Sequence, residues 1–305
     1  MTVKRRRVGS SGFGYTIDGT KAPGVTSIIS MVPKNLTDWA ARTAADYAID
    51  NWADLDAMPL SQRQKLIANA HHEARDSRAK RGTEVHKLGE ALVAGETVAV
   101  PDELAGHVEA YRDWLDAVEP KPVEGGTELL FASREHTYCG TGDLIADLPD
   151  IMADGEFIPA CRWLLDLKTA AGLWPESALQ LTGYRRADVF GVPLDWCGEC
   201  DEETRILTGP RGGLSKCEAC HPDRAGFEER PVDWLEIKRC GVVWIKSDTC
   251  ELHPVDTGDE VWEFFLRLRW LYDRMETTRT GSLTLPRGWI GPPASAVTLV
   301  AADRP

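Results

Sequence analysis

The sequence predicts a mixed α/β fold with a helical front and an inserted cysteine ribbon. Three observations carry this. Apolar residues recur at helical spacing through much of residues 36–118, the pattern changes to strand character between 127 and 168, and four of the eight cysteines fall into two CxxC units. The chain divides accordingly into 1–126, a strand and helical region; 127–280, a core interrupted at 196–232 by the ribbon; and 281–305, a flexible tail rich in Gly, Pro and Ala.

Residues 13–31 (FGYTIDGTKAPGVTSIISM) read as a short strand, a Gly/Pro turn and an apolar segment. Residues 36–53 are Ala-rich with helical periodicity. Ser61 is placed to cap a helix running to about Lys80, and residues 82–94 form another with Val85, Leu88 and Leu92 on one face. Pro101 suits the first turn of a fourth helix, which runs to about Val118. Segments 127–133, 138–147 and 161–168 then read as three strands of an antiparallel meander. Residues 174–190 read as a helix, Val192–Trp196 as a short strand, 233–254 as strands again, and Gly258–Glu276 as a last helix.

The apolar and charged fractions, 43% and 27%, are those of a soluble globular protein. No apolar run approaches the roughly 20 residues of a membrane helix. The basic start MTVKRRR lacks an apolar h-region, so it is not a secretory signal, and a cytoplasmic location is expected. A net charge of −13 argues against a general nucleic-acid binder. It does not exclude an enzyme whose site gathers carboxylates around a cation while basic groups line one groove. Positive charge is locally dense at Lys4–Arg7, at Arg75–Lys87 and at Arg185–Arg186, segments that taken singly read as a loose tail and solvated helix faces.

Four short motifs carry the chemistry. In Asp166-Leu-Lys168, side chains two apart on a strand share a face. A carboxylate able to hold Mg²⁺ thus stands beside an ammonium able to orient water or stabilise a phosphate. Alone such a pair is usually a surface ion pair. Here the preceding Trp163-Leu-Leu is apolar, which sets the pair where a buried strand emerges. Gly140-Thr-Gly-Asp143 offers a second carboxylate on the preceding strand, with glycines that permit close approach of backbone or substrate. Gly82 and His86 lie one turn apart on a helix, and the imidazole is a candidate metal ligand. Gln180 and Tyr184 are likewise one turn apart, on the helix after the Asp166 strand.

In this order the motifs resemble the RecB-like branch of the PD-(D/E)xK nuclease superfamily: G-x-x-x-H, then G-x-D, then D-x-K with a following Thr169, then Q-x-x-x-Y. Pro23-Gly-Val-Thr-Ser-Ile-Ile29 is similar to an opening found in phage-encoded members. The likeness spans roughly residues 13–276, less the cysteine segment. It implies a restriction-endonuclease-like core, a mixed sheet flanked by helices, and a Mg²⁺- or Mn²⁺-dependent deoxyribonuclease, an exonuclease by likeness, of phage or bacterial recombination, replication or repair. Its partners would be DNA, single-stranded or at duplex ends, and proteins of those processes, with no membrane. His86, Asp143, Asp166 and the Leu167 carbonyl would hold the metal, Lys168 would position the attacking water, and Gln180 and Tyr184 would contact DNA or brace the site. Glu90 and Glu128 are further carboxylates for outer or second-metal roles. Asp150 in Leu-Pro-Asp imitates the superfamily's "PD", but it lies beyond the strand, and Asp143 is preferred. The alternative is a non-catalytic zinc-ribbon DNA-binding or scaffold protein on a decayed nuclease fold.

Cys197, Cys200, Cys217 and Cys220 match tetrahedral Zn²⁺, each pair supplying one knuckle. The segment holds too few apolar residues to fold without metal. A structural zinc is preferred to an iron–sulfur cluster. The CRISPR-associated relatives place one cluster cysteine before the His motif, and this chain has none before Cys139. Cys139, Cys161, Cys240 and Cys250 read as small buried apolar residues.

Overall fold

The chain begins with three antiparallel strands, β1 (Val3–Val8), β2 (Gly12–Ile17) and β3 (Thr20–Ala22). The basic start is therefore a strand rather than a tail. Helices follow: α1 (Val25–Ile29), α2 (Thr37–Asp50), α3 (Trp52–Asp56), α4 (Leu60–Val93) and α5 (Ala105–Val118). Next come β4 (Lys121–Ser133), β5 (Tyr138–Leu148), the small hairpin β6 (Ile151–Ala153) and β7 (Glu156–Ile158), β8 (Cys161–Lys168) and α6 (Glu176–Arg185). The remaining elements are β9 (Val189–Pro193), β10 (Arg205–Leu207), β11 (Leu214–Lys216), β12 (Phe227–Pro231), β13 (Arg239–Ile245), β14 (Cys250–Pro254) and α7 (Asp259–Arg279). This computed structural model describes residues 3–8, 12–34, 36–170, 172–193, 205–207, 214–216 and 227–279. Cys197, Cys200, Cys217, Cys220 and the tail 281–305 lie outside the described residues. Between the two cysteine pairs, β10 and β11 form a two-stranded antiparallel unit.

The architecture is mixed α/β, a central mixed sheet flanked by helices. Its seven strands run β12-β9-β4-β5-β8-β13-β14. Neighbours are antiparallel except β8 and β13, which are parallel. The expected meander is β4-β5-β8. Residues 227–231, inside the range read as the insertion, form β12 at one edge of this sheet.

Strand alternation sends side chains into two cores. On one face Ile145, Leu164 and Val242 pack with Val25, Leu181 and Phe265, beneath α1, α6 and α7. On the other, Leu144, Trp163, Leu165, Leu167 and Val243 pack with Val85, Val108, Tyr111 and Trp114, beneath α4 and α5. β8 is thus buried on both sides, which explains its nearly continuous apolar run.

Two sequence expectations need correction. The segments 61–80 and 82–94 are one helix of 34 residues that runs through Gly82 without a break and begins at Leu60 after Pro59, so Ser61 is inside it. A helical glycine costs about 1 kcal/mol relative to Ala, too little to end a helix whose C-terminal half is anchored by Val85 and Gly89 against the core. The helix read over 174–190 stops at Arg185, because the chain must turn there to deliver β9 to the sheet beside β4.

Phe265 is fully buried, edge-on to Tyr138 (centroids 5.1 Å) and stacked on Trp262 (5.6 Å). Phe265→Ala should lower unfolding stability by about 3–5 kcal/mol, read from urea melts. A loss under about 1 kcal/mol would show that α7 does not hold this face.

Candidate active site

β5 pairs with β8 only as far as Leu144 opposite Leu165. Beyond that level β8 continues alone alongside β13, to Lys168 opposite Trp244. Alternation on β5 also breaks here. Gly142 lies against Phe131 and Leu164 of the first core, yet Leu144, two residues on, belongs to the second. On β4 the matching irregularity is Glu128, with φ of +51° between the pairs Thr127–Leu144 and Leu129–Gly142. A non-glycine residue in this left-handed region costs about 1–3 kcal/mol. The strand pair is thus bent at Glu128 and Asp143, and a gap opens between β5 and the end of β8.

Asp143 fills part of that gap. Its Oδ2 accepts the Leu167 backbone N–H at 2.8 Å, replacing a ladder bond that β5 no longer supplies. A strand residue directs its N–H and C=O to the same edge, so the Leu167 carbonyl also opens toward the gap. His86 approaches from α4, its Nδ1 3.7 Å from Asp143 Oδ2. Gly82, one turn earlier, brings α4 close to the end of β8: a Cβ there would lie 3.3 Å from Thr169 Oγ1.

Asp166 faces the other core and is 1% exposed. Lys168 Nζ lies 2.8 Å from its Oδ1 and 2.7 Å from its Oδ2. Gln180 Nε2 donates to Asp166 Oδ1 at 3.0 Å and to the Tyr184 hydroxyl at 3.2 Å, while Gln180 Oε1 accepts from Lys168 at 3.3 Å. Burial pushes the Asp166 carboxyl up to about 6, against the attraction of Lys168. Burial alone would lower Lys168, but the charges of Asp166 and Asp143 outweigh it, and its ammonium is held above the ordinary range. Tyr184 is pushed well up by burial and then by the two aspartates, so its phenol stays protonated.

All the sequence candidates of the D-x-K, G-x-D, G-x-x-x-H and Q-x-x-x-Y motifs therefore meet around the end of β8. Gln180 and Tyr184 are buried and brace Asp166. Neither offers a surface on which a base could stack. Gly140 and Gly142 admit aromatic rings rather than substrate, since Cβ atoms there would strike Tyr184 and Phe131. Asp150 serves the β6–β7 hairpin, accepting the Ala160 N–H at 2.7 Å.

Sequence reading missed Tyr111. It lines, with His86, Glu90, Glu128 and Asp143, a cavity of ≈ 10 Å³ beside the gap, room for one water-sized guest. Its hydroxyl is buried and meets no hydrogen-bond partner among the described residues. Only its position on α5 opposite Gly89 brings it there, and nothing local in the sequence marks it. Of the unpaired cysteines, Cys139 and Cys240 are buried as expected, their thiols pushed up by burial to about 12 and about 11, whereas Cys161 and Cys250 are half-buried.

The donor set suits a hard divalent cation in kind: two carboxylates, a carbonyl and an imidazole. Among the described residues no donor is aligned on the buried Asp166 Oδ2, whose neighbour is the Lys168 ammonium at 2.7 Å. Among the described residues no three His, Cys, Asp or Glu side chains are gathered closely enough to cage a metal unaided. Asp143 and Asp166 are held apart, one by the Leu167 N–H and the other by Lys168 and Gln180. No family model and no curated protein matches the chain.

Gly140→Ala tests this bracing. The added methyl would collide with the Tyr184 ring and push α6 from the sheet. A loss of about 1–3 kcal/mol is expected, measured as a lower thermal midpoint. An unchanged midpoint would show that Tyr184 is free to move.

Proposed function

We propose that the chain is a Mg²⁺- or Mn²⁺-dependent deoxyribonuclease on a RecB-like PD-(D/E)xK core, hydrolysing phosphodiester bonds and acting as an exonuclease by resemblance. One observation carries the reading: a fully buried carboxylate, Asp166, is ion-paired to Lys168 two residues on, at a strand end facing Asp143 and His86 across an opened gap. A structural ion pair has no need of a second carboxylate and an imidazole beside it.

Asp143, Asp166, His86 and the Leu167 carbonyl would hold the cation, which when bound supplies a water of lowered pKa and positive charge against the phosphate. Lys168 keeps its proton, so its work is to orient the water and to stabilise negative charge on the attacked phosphate. The attacking water gives up a proton to solvent as its oxygen bonds to phosphorus, the P–O bond to the leaving nucleoside oxygen breaks, and that oxygen takes up a proton from solvent. Gln180 fixes Lys168 and Asp166 relative to one another, and Tyr184 fixes Gln180. The structural zinc assigned to Cys197, Cys200, Cys217 and Cys220 takes no part in this chemistry, because four thiolates leave no open coordination position.

End-labelled single-stranded and duplex DNA, incubated with Mg²⁺ or Mn²⁺ and with chelator, gives the direct test. The wild type should cut only with free metal. Asp166→Asn should abolish cutting, and Lys168→Met should slow it by about 100- to 1,000-fold, the loss of one donor to developing charge. Both variants should be checked for folding by circular dichroism. Cutting that survives in Asp166→Asn sinks the assignment, and no cutting with any metal favours the non-catalytic alternative.

A pH dependence follows from Asp166. Its carboxyl is raised to about 6 by burial, so below that pH protons compete with metal for it. Mn²⁺ affinity should be constant well above pH 6 and fall about tenfold per unit below it, for one proton displaced. Isothermal titration at several pH values reads this. A flat affinity down to pH 4.5 would place the metal elsewhere.

A further inference from the structure

α4 does not stop at the catalytic gap. It passes Gly82, which lies against Thr169 at the end of β8, and continues toward its N-terminus as far as Leu60. Over residues 75–81 every position of the helix is exposed. That stretch carries Arg75, Arg78, Lys80 and Arg81 against one acid, Asp76, whose exposed carboxylate pairs with Arg75 at 2.8 Å and leaves a net excess of three positive charges. These residues join the part of α4 that packs on α2 to the part that packs on the core, and they bury none of their own side chains.

The phase of the helix gives the cations a direction. Arg75, Arg78, Gly82 and His86 are separated by three, four and four residues, and so form one stripe on one face. Since His86 on this stripe points at Asp143, Arg78 and Arg75 prolong the same line outward from the site. At 1.5 Å per residue they stand about 12 Å and about 16 Å from His86 along the axis. Arg78 is held in place: its guanidinium lies over the Trp39 ring of α2, 5.6 Å from the centroid. The segment leading into α2 is in turn tied to the start of α6 by Lys34 and Glu176, 3.4 Å apart. The two arginines therefore stand on a line that leads from His86 along α4, and they do so in a chain of net charge −13.

We propose that Arg75 and Arg78 form a phosphate track for the DNA strand where it leaves the catalytic gap, with Trp39 positioning Arg78. This rests on the nuclease reading and deepens it, because it assigns the direction in which the substrate runs. At the 3.4 Å rise per nucleotide of one strand of a duplex, the track lies about four to five phosphates from the cut. DNA shorter than that cannot reach it.

The test pairs binding with cleavage, using the full chain and 5′-labelled oligodeoxyadenosine, whose bases keep the stacked rise, of about three and about 20 nucleotides. Binding is measured by anisotropy with chelator present, over a range of salt. For Arg75→Gln/Arg78→Gln, two lost phosphate contacts should reduce the salt slope on the long strand by about 1.4 and weaken binding about 20-fold at 0.1 M salt. Affinity for the short strand and kcat/KM on it should stay at the wild-type value. Arg75→Lys/Arg78→Lys should keep the wild-type slope, which separates charge from helix integrity. An unchanged slope in the Gln variant, or equal loss on short and long strands, overturns the track. A wild type that cuts nothing with any metal, yet shows this difference in slope, overturns the nuclease reading and supports the track.

Discussion

The carboxylate of Asp166 is the constraint around which the rest is built. A buried, ionised carboxylate is unfavourable by several kcal/mol unless it is paired and hydrogen-bonded. Lys168 provides the pairing, but an ammonium at a strand end has many rotamers, and Gln180 restricts them by bonding both partners. Gln180 itself needs fixing, which Tyr184 supplies one turn along α6. The Tyr184 ring can lie flat against β5 only because position 140 has no side chain. A glycine on one strand, a tyrosine on a helix and an aspartate on another strand are thus successive parts of one argument about desolvation. The same burial that makes Asp166 demanding keeps its proton affinity high and leaves it receptive to a cation.

A second constraint concerns the sheet. A regular strand pair would have closed the gap beside Leu167 with ladder bonds. Instead the β4–β5 pair bends at Glu128, in a conformation that is unfavourable for a non-glycine residue, and Asp143 takes the Leu167 N–H that the bend leaves over. This cost is tolerable because both faces of β8 remain buried, under α6 on one side and α5 on the other. Strain in β4, a carboxylate acting as a ladder substitute and an open strand edge occur at one level of the sheet. That coincidence is what a site needs and what a structural sheet avoids.

Much of this was legible in the chain. Period-two patterning located the three meander strands, and Asp166 and Lys168 had to share a face by parity alone. The position of Asp143 after Gly-Thr-Gly brought a second carboxylate to the end of β8, although the glycines there face aromatic rings. What could not be read depends on contacts distant in sequence. Gly82 looked like a helix boundary, because the compensation for it is Thr169, 87 residues on. The start of β9 looked like the end of a helix and the strand was placed three residues late, at Val192–Trp196, because only pairing with β4 and β12 makes Val189–Pro193 a strand. Tyr111 carries no local mark at all, and its relevance comes from α5 crossing α4 at Gly89. Periodicity reports which face of an element is buried. It is silent about what lies across that face.

The net charge of −13 then takes on a different meaning. Asp143, Asp166, Glu90 and Glu128 concentrate negative charge about the gap, which attracts cations and repels a polyanion. On the proposed nuclease reading, a DNA strand approaching such a site needs compensating charge on one side only, since cations spread over the surface would hold DNA everywhere. On that reading α4 supplies both parts in a single element, with His86 at the gap and Arg78 and Arg75 along the same stripe toward its N-terminus. The axial distance between His86 and the arginines is then set by residue count, at about 1.5 Å per residue. The length of α4 has its own support: Val85 and Gly89 anchor its C-terminal part on the core, and α2 packs on its earlier part through Trp39 against His71 and Arg78, which holds the exposed arginine stretch between two packed ends.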